Sequence, residues 1–126
     1  MLFRSVEIDH QLLVIDFNLE VLAELKSRGV AGMFGDIGSM DTLKHAHLES
    51  ARLIVLTIPD MLLKGTSNQA MVRACRALAP QAAIVATADS LEQAELLKVA
   101  GANQVLMPYA MVGGEVARLI EDVGKE

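Results

Sequence analysis

The stretch that decides the fold is Val14-Ile15-Asp16-Phe17-Asn18, an apolar run that ends in an acidic residue and is followed at once by a helix-capping residue. Short β-branched runs bounded by turn-forming residues are typical of strands, and Asn is a preferred residue at a helix N-cap. Further apolar runs alternate with helix-period segments along the rest of the chain. Together they predict five strands: Leu12 to Ile15, Ala31 to Phe34, Leu53 to Thr57, Ala83 to Thr87 and Gln104 to Met107.

The predicted strands are apolar on both faces and do not alternate between apolar and polar residues. Strands of this kind belong to parallel sheets that helices cover on each side. We therefore predict an α/β fold with a Rossmann-like, doubly wound parallel sheet. The chain has 126 residues, 52% of them hydrophobic, which predicts a single domain over residues 1–126 with one core.

Capping residues predict where the helices begin and end. Asn18 is expected to cap a helix that buries Val21, Leu22 and Leu25 and ends at Gly29. Two capping boxes precede later helices, which are expected to run to Ala79 and Ala100. The first box is Thr66 with Gln69, and Pro80 stops the helix that follows it. The second box is Ser90 with Gln93, and Gly101 stops its helix.

A last helix is predicted from Ala110 to Val123, because its apolar residues recur at helical spacing. This helix contains the pair Gly113 and Gly114, and glycine inside a helix is unfavourable. The pair indicates either local flexibility or the close approach of another backbone, at a dimer contact or a transporter contact.

Composition excludes several classes of function. A net charge of −5 and an aromatic content of 3% argue against a nucleic-acid partner, which requires clustered basic residues and stacking surfaces. Cys75 is the single cysteine, so an intramolecular disulfide is excluded, and we predict that Cys75 is a small core residue. No serine has the sequence context of a nucleophile elbow, so a hydrolase finds no support.

Metal binding and membrane insertion are also not expected. The three histidines, His10, His45 and His47, have no Cys or carboxylate partners at metal-ligand spacing, which predicts surface or capping roles. No apolar stretch reaches the roughly 18 to 20 residues that cross a bilayer, and the N-terminus has no signal-peptide pattern. We therefore expect the chain to be cytoplasmic and to reach the inner face of a membrane only through a partner.

Three predicted strand ends carry the candidate binding residues. After the first strand, Asp16 can accept hydrogen bonds from ribose hydroxyls, or it can share the capping of the following helix. After the second, Gly35 and Asp36 can bring backbone groups to a flat ligand, or Asp36 can simply cap a turn. After the third, Thr57 offers a hydroxyl and Ile58 an apolar wall. Ligands bind at the carboxyl edge of parallel sheets, so we expect these groups to converge on one cleft.

The sequence contains neither G-x-G-x-x-G nor a Walker-type G-x-x-x-x-G-K. Residues 1 to 10 have the pattern of a helix tail, with Leu2, Phe3 and Val6 as its apolar residues. A strand and a glycine loop that precede such a helix would have to lie upstream of Met1. The expected fold is therefore truncated at its N-terminus.

Four stretches together resemble the regulatory nucleotide-binding domain of bacterial potassium channels and cation:proton antiporters, known as the RCK, KTN or TrkA-N domain. The third of them is most similar to the antiporter branch. The stretches are V-I-D-F-N (residues 14–18), G-D-I-G-S (35–39), T-I-P-D-M-L-L-K-G-T-S-N (57–68) and A-G-A-N-Q-V-L-M-P (100–108).

The resemblance implies a regulatory module without enzymatic turnover, which forms dimers and transmits nucleotide occupancy to a membrane cation transporter. It implies that Asp16 holds the adenosine ribose, that Asp36 and Ile37 line the adenine pocket, and that Thr57 to Pro59 border the phosphate side. The implied cofactor-binding residues are Asp16, Phe17, Asn18, Gly35, Asp36, Ile37, Thr57, Ile58 and Pro59.

The departure from the family pattern weakens the expected ligand affinity. Without the glycine loop no N–H nest holds the phosphates, so we expect weak or lost binding of NAD or NADH, whereas AMP can still use the pocket at Asp16 and Asp36. Calcium control is not expected, because Leu56 and Thr87 are uncharged where calcium-gated relatives have acidic ligands. The open edge of the strand Leu12 to Ile15 predicts a homodimer or a hetero-assembly. Two other functions stay open: a fragment of an NAD-dependent oxidoreductase, and a structural interaction module that has lost its ligand.

Overall fold

The computed structural model describes residues 12–125, which form two compact units, one ending at Ala46 and the other beginning at His47. The helix tail predicted over residues 1 to 10 and the role predicted for His10 lie outside the described residues. The architecture is α/β, and each strand pair is parallel, as the sequence predicts. The five strands are hydrogen-bonded into two sheets, one of two strands and one of three.

The first unit contains two parallel strands and two helices. In chain order they are β1 (Leu13–Asp16), α1 (Leu19–Ser27), β2 (Ala31–Phe34) and α2 (Met40–His45). The strands pair in register from Leu13 opposite Ala31 to Asp16 opposite Phe34. Helix α1 packs against β2 and buries Leu25, and α2 buries Leu43. Asn18 caps α1 and Gly29 follows its end with a positive φ, which confirms both predicted boundaries.

The second unit contains a three-stranded sheet in the order β3-β4-β5 and three helices. One-turn 3-10 helices lie at Leu48–Ser50 and Asp60–Leu62. The remaining elements are β3 (Leu53–Val55), α3 (Asn68–Leu78), β4 (Ala83–Thr87), α4 (Leu91–Ala100), β5 (Gln104–Leu106) and α5 (Pro108–Gly124).

The core of the second unit lies between its sheet and two of its helices. Helix α3 packs on β4, α4 packs on β5, and the two helices pack on each other. Alternate strand residues face these helices, so Ile84 and Ala86 of the central strand are fully buried. On the opposite face, Leu53 and Val55 of β3 are 58% and 48% exposed. Among the described residues, β3 is therefore covered on one face only.

Most predicted boundaries agree with the structure to within two residues. β2 and β4 have the predicted bounds, whereas β3 ends at Val55 and not at Thr57, although Leu56 N still donates to Val85 O at 2.9 Å. The N-cap predicted at Ser90 is confirmed, since Ser90 Oγ accepts from Gln93 N at 3.1 Å, but the Gln93 side chain accepts from Asp89 N and not from Ser90 N as a capping box requires. The box predicted at Thr66 is wrong: Ser67 caps α3 by accepting from Ala70 N, because the hydroxyl one residue later has the extended backbone that a cap requires.

The last helix is longer than predicted and has no buried residue. Pro108 provides its first turn, where a proline is favourable. Gly113 and Gly114 lie within it without interruption, and a Cβ at either position would meet open space. None of the described helices combines the length and the apolar character that crossing a bilayer requires.

Arg76 joins three segments of the second unit through three main-chain carbonyls and one side-chain amide oxygen. Its Nη1 donates to Ala82 O at 2.7 Å and to Pro80 O, and its Nη2 donates to Gly101 O at 2.8 Å and to Asn103 Oδ1 at 2.7 Å. These bonds connect α3 with the turn before β4 and with the turn after α4. The planar guanidinium suits this arrangement because it presents several donors in one fixed plane.

We predict that Arg76→Met lowers the free energy of unfolding by about 2 to 3 kcal/mol, because several carbonyl groups lose a charged donor. Arg76→Lys should recover only part of this loss, since one ammonium cannot reach all the acceptors. Urea denaturation measures both changes. Arg73→Met is the matched control on the exposed side of the same helix, and a loss as large as that of Arg76→Met would contradict this role of Arg76.

Candidate functional site

The carboxylate of Asp16 ends β1 and begins the turn into α1. Its Oδ1 accepts from Asn18 N at 2.8 Å, and Asn18 Oδ1 in turn accepts from Glu20 N at 2.9 Å and from Val21 N at 3.4 Å. Both alternatives of the sequence analysis are therefore compatible with the geometry. Asp16 supports the helix cap through one oxygen, while Oδ2 accepts no hydrogen bond from any described residue.

The segment after β2 forms a second turn with the same chemistry. Asp36 Oδ1 accepts from Gly38 N at 2.9 Å, and Asp36 O accepts from Ser39 N at 3.0 Å. Gly35 packs closely on α2, because a Cβ at this position would lie 2.7 Å from Cγ2 of Thr42. The glycine therefore lets the chain pass α2 and carry Asp36 and Ile37 beyond the end of β2.

The structure brings these two segments together. Asp16 pairs with Phe34 in the strand register, and Gly35 N donates to Asp16 O at 3.2 Å. Segments 16–18 and 35–37 thus lie side by side at the carboxyl end of the β1-β2 pair. Phe17 and Phe34 at this end are 58% and 63% exposed. A carboxylate oxygen that accepts no hydrogen bond within residues 12–125, next to two exposed phenylalanines, is suited to a ribose and a flat base.

Thr57, Ile58 and Pro59 belong to the second unit, where they follow the last ladder bond of β3. Thr57 is exposed, and Ile58 and Pro59 are half-buried. Ile58 O accepts from Asn68 Nδ2 at 2.8 Å, so the main chain of this segment is held by the first residue of α3.

Sequence reasoning missed a polar cluster next to that segment. Asp60 accepts from Asn68 through Oδ1 and from Gln93 through Oδ2, and Asn68 is only 1% exposed. The available signal was periodicity. The residues three, four and seven positions after Asn68 are apolar, which puts this polar side chain on the core face of its helix, and the buried set there is Asn68, Met71, Val72 and Cys75.

The cysteine and the two histidines within the described residues have structural or surface roles. Cys75 is buried, as predicted, and burial raises the pKa of its thiol, which disfavours the reactive thiolate. His45 and His47 are exposed and contact Asp41 O and Glu49, which agrees with the predicted surface and capping roles. Within residues 12–125, no three His, Cys, Asp or Glu side chains form a group that would hold a metal ion.

Comparison with known proteins identifies the family. The TrkA-N domain matches residues 2–108. YbaL of Escherichia coli K12, named as a cation/proton antiporter, is 31% identical over 90% of this chain and 20% of its own length. Potassium channel protein 2 of Methanocaldococcus jannaschii is 31% identical over 88% of this chain and 32% of its own length. The chain thus spans about a fifth and about a third of these two relatives.

Solved structures agree with the sequence relatives. The TrkA-N domain of the inner membrane protein YbaL from Escherichia coli superposes with a TM-score of 0.76, at 31% identity, over 88% of this chain and 79% of that one. The GsuK channel is similar at 26% identity. Its structure with ADP has a TM-score of 0.66 over 79% of this chain and 25% of that one. Its structure with NAD has a TM-score of 0.65 over 78% of this chain and 17% of that one. The chain belongs to the TrkA-N domain family, which its relatives place in potassium channels and cation/proton antiporters.

Proposed function

We propose that this chain is a regulatory domain that binds an adenine nucleotide on the cytosolic side of a membrane and controls a potassium or other cation transporter, without catalysing a reaction. The observation that carries the proposal is the carboxylate of Asp16 at the end of β1, with Oδ2 free of partners among the described residues. A carboxylate at this position of a Rossmann-like fold accepts hydrogen bonds from ribose hydroxyls.

Two further observations support the proposal. Family membership associates the chain with cation transporters, and the similar GsuK channel has structures with ADP and with NAD. The second is the turn at Asp36, which follows directly on Gly35, whose N–H donates to Asp16 O. Such a ligand regulates a transporter only if it binds one conformation of the domain more tightly than the other.

The nucleoside part of the ligand is proposed to provide most of the affinity. Residues 1–126 contain no G-x-G-x-x-G loop, so this chain by itself provides no nest of N–H groups for the phosphates. NADH is then expected to bind weakly or not at all, whereas AMP can still use the pocket at Asp16 and Asp36. The contribution of Thr57 to Pro59 to the phosphate side stays a prediction.

Asp16→Asn should weaken ADP binding about tenfold or more, because a hydrogen bond to a charged acceptor is worth about 1.5 to 3 kcal/mol. The amide keeps an oxygen for Asn18 N, so the cap of α1 survives. Isothermal calorimetry measures the affinity. For the native chain, 2′-deoxy-ADP should bind as weakly as ADP binds to the variant, and the variant should not discriminate between the two ligands.

Asp41→Asn is the control for this experiment, since it removes an exposed carboxylate in the same unit. If the Asp16→Asn variant still binds ADP more tightly than 2′-deoxy-ADP, to the same extent as the native chain does, the role of Asp16 in binding the ribose is contradicted. No binding of AMP, ADP, ATP or NADH to the native chain would instead favour a structural interaction module, and oxidation of NADH would favour an oxidoreductase.

We also propose that the chain forms a homodimer through α5. The apolar residues of this helix recur at alternating spacings of three and four, which is the pattern of a helix seam that pairs with its own copy. The seam consists of Tyr109, Val112, Val116, Leu119 and Val123, all of them about half exposed or more.

The charges beside this seam are neutralised within each helix. Arg118 binds Glu115 and, at 3.0 Å, Asp122, and the bond from Arg118 lowers the pKa of the Glu115 carboxyl. Two copies can therefore meet along the seam without facing unpaired acidic side chains. Gly113 and Gly114 leave room for a neighbouring backbone to approach.

Val116→Glu should raise the dimer dissociation constant at least about tenfold, because it buries a charge without a partner in the seam. Ala117→Glu, which adds the same side chain at the next position of α5 outside the seam, should leave it unchanged. Light scattering over a range of protein concentrations measures both. A native chain that stays monomeric at high concentration would contradict the dimer.

A further inference from the structure

Two large apolar side chains follow Asp60 on a one-turn 3-10 helix of the second unit. Met61 and Leu62 are 80% and 60% exposed. The turn that carries them is closed by Leu62 N donating to Pro59 O at 2.9 Å and by Leu63 N donating to Asp60 O at 3.0 Å. The chain therefore exposes two apolar side chains on a short, hydrogen-bonded element.

Side-chain hydrogen bonds attach this turn to both neighbouring helices. Asp60 Oδ1 accepts from N and from Nδ2 of Asn68, both at 2.8 Å, and Asp60 Oδ2 accepts from Gln93 Nε2 at 3.0 Å. Gln93 Oε1 accepts from Asp89 N at 2.8 Å, which holds its Nε2 toward Asp60. The 3-10 helix is therefore anchored to the first turns of α3 and α4.

The anchor fixes a shape more than it adds stability. Asn68 is polar and yet buried, and an apolar side chain at its position would continue the core face of α3. Buried polar networks whose bonds are satisfied specify one conformation. The conformation that Asp60, Asn68 and Gln93 specify includes the turn that exposes Met61 and Leu62.

A third apolar side chain lies beside the same anchor. Leu91 is in the first turn of α4, two residues before Gln93, and it is 75% exposed. Single exposed apolar side chains are common on protein surfaces. Here, however, three of them lie within two residues of Asp60 or Gln93, whose side chains are bonded to each other. Met61, Leu62 and Leu91 are called the Met61 surface below.

The charged residues around the Met61 surface are mainly acidic. Segments 59–67 and 88–95, which contain this surface and its anchor, have four acidic residues and one basic residue. An apolar surface with an acidic border is complementary to a segment whose apolar side chains are flanked by Lys or Arg. The same border disfavours an anionic membrane surface and a second copy of this surface, since like charges would face each other. The charged residues are Asp60, Asp89, Glu92, Glu95 and Lys64.

We propose that the Met61 surface docks a basic, amphipathic segment of the membrane transporter that this domain regulates. The inference rests on the proposed function, which makes a cation transporter the partner. Cytosolic loops of membrane proteins carry an excess of Lys and Arg close to their membrane-spanning segments, so such a partner offers the complementary charge. A turn that is already fixed loses little conformational freedom on binding, which favours affinity.

Peptide binding tests the proposal. The probe is a fluorescent peptide of leucine and lysine whose leucines lie on one helical face. Matched peptides with glutamine or glutamate in place of lysine are the controls. We expect the lysine peptide to bind most tightly and added NaCl to weaken its binding, because salt screens exposed charges. Fluorescence anisotropy measures the dissociation constants.

Met61→Gln and Leu91→Gln should each weaken binding of the lysine peptide at least about fivefold, because each removes an apolar contact from the centre of the surface. Val99→Gln, which changes an equally exposed apolar residue in the last turn of α4, should leave binding unchanged. Glu92→Gln should weaken binding about two- to fivefold, as expected for an exposed charge pair. Glu121→Gln, the same change in α5, should have no effect.

Equal binding of the three peptides would overturn the proposal, and so would a lysine peptide that binds Met61→Gln and Leu91→Gln as tightly as the native chain. A rise in the dimer dissociation constant of Met61→Gln would assign the surface to a second copy instead. Binding to phosphatidylcholine vesicles that Leu91→Gln abolishes would assign it to lipid.

The peptide measurements need no nucleotide, so the two proposals fail separately. A chain that binds ADP but binds the lysine peptide no better than its controls refutes the docking surface alone. A chain that binds the lysine peptide at the Met61 surface but binds no nucleotide refutes the nucleotide site alone.

Discussion

A strand inside a parallel sheet has hydrogen-bonded neighbours on both edges and side chains packed on both faces, because its N–H and C=O groups point to both sides and its residues alternate between faces. In the second unit only β4 has two neighbours. It lies between β3 and β5 in a continuous register, and Ile84 and Ala86 are fully buried. Helix α3 packs on β4 and helix α4 on β5, and the two helices bury Met71, Val72, Cys75, Ala94 and Leu97. The stability of this unit thus depends on the pairing of β4.

The edges of the two sheets explain why some strands are less protected than β4. Within the described residues 12–125, β1 is hydrogen-bonded only to β2, and β3 only to β4, so each is an edge strand of its own sheet. An edge strand has a neighbour on one side only, and Leu13 and Leu53 are 43% and 58% exposed.

Sequence patterns predicted the helices and strands better than the hydrogen bonds between side chains. β2 and β4 were predicted to the residue because turn-forming residues bound both apolar runs, and Asn18 was identified because an Asn before an apolar helix has one dominant role. β3 was predicted two residues too long, since Leu56 and Thr57 are as β-prone as the strand itself and only the loss of a hydrogen-bonded neighbour ends it. Thr66 and Ser67 are chemically equivalent candidates for the cap of α3, so composition alone cannot choose between them. Of the candidate site, the neighbouring positions of Asp16 and Gly35 follow from parallel pairing, whereas the bond from Gln93 to Asp60 joins residues too far apart for any local pattern to indicate it.

The hydrogen-bonded cluster of Asp60, Asn68 and Gln93 lies just beyond the sheet of the second unit. A ladder of backbone hydrogen bonds changes register only at high cost, so residues inside β4 cannot respond to a ligand. Thr57 to Pro59 lie just beyond the ladder and are held by side-chain bonds such as that from Asn68 Nδ2 to Ile58 O, so a change in their conformation breaks fewer hydrogen bonds than a change in β4. Because Gln93 is part of α4, a change at Asp60 also changes what holds the first turn of that helix. A change in the segment after β3 can in this way reach α4 without disrupting the sheet of the second unit.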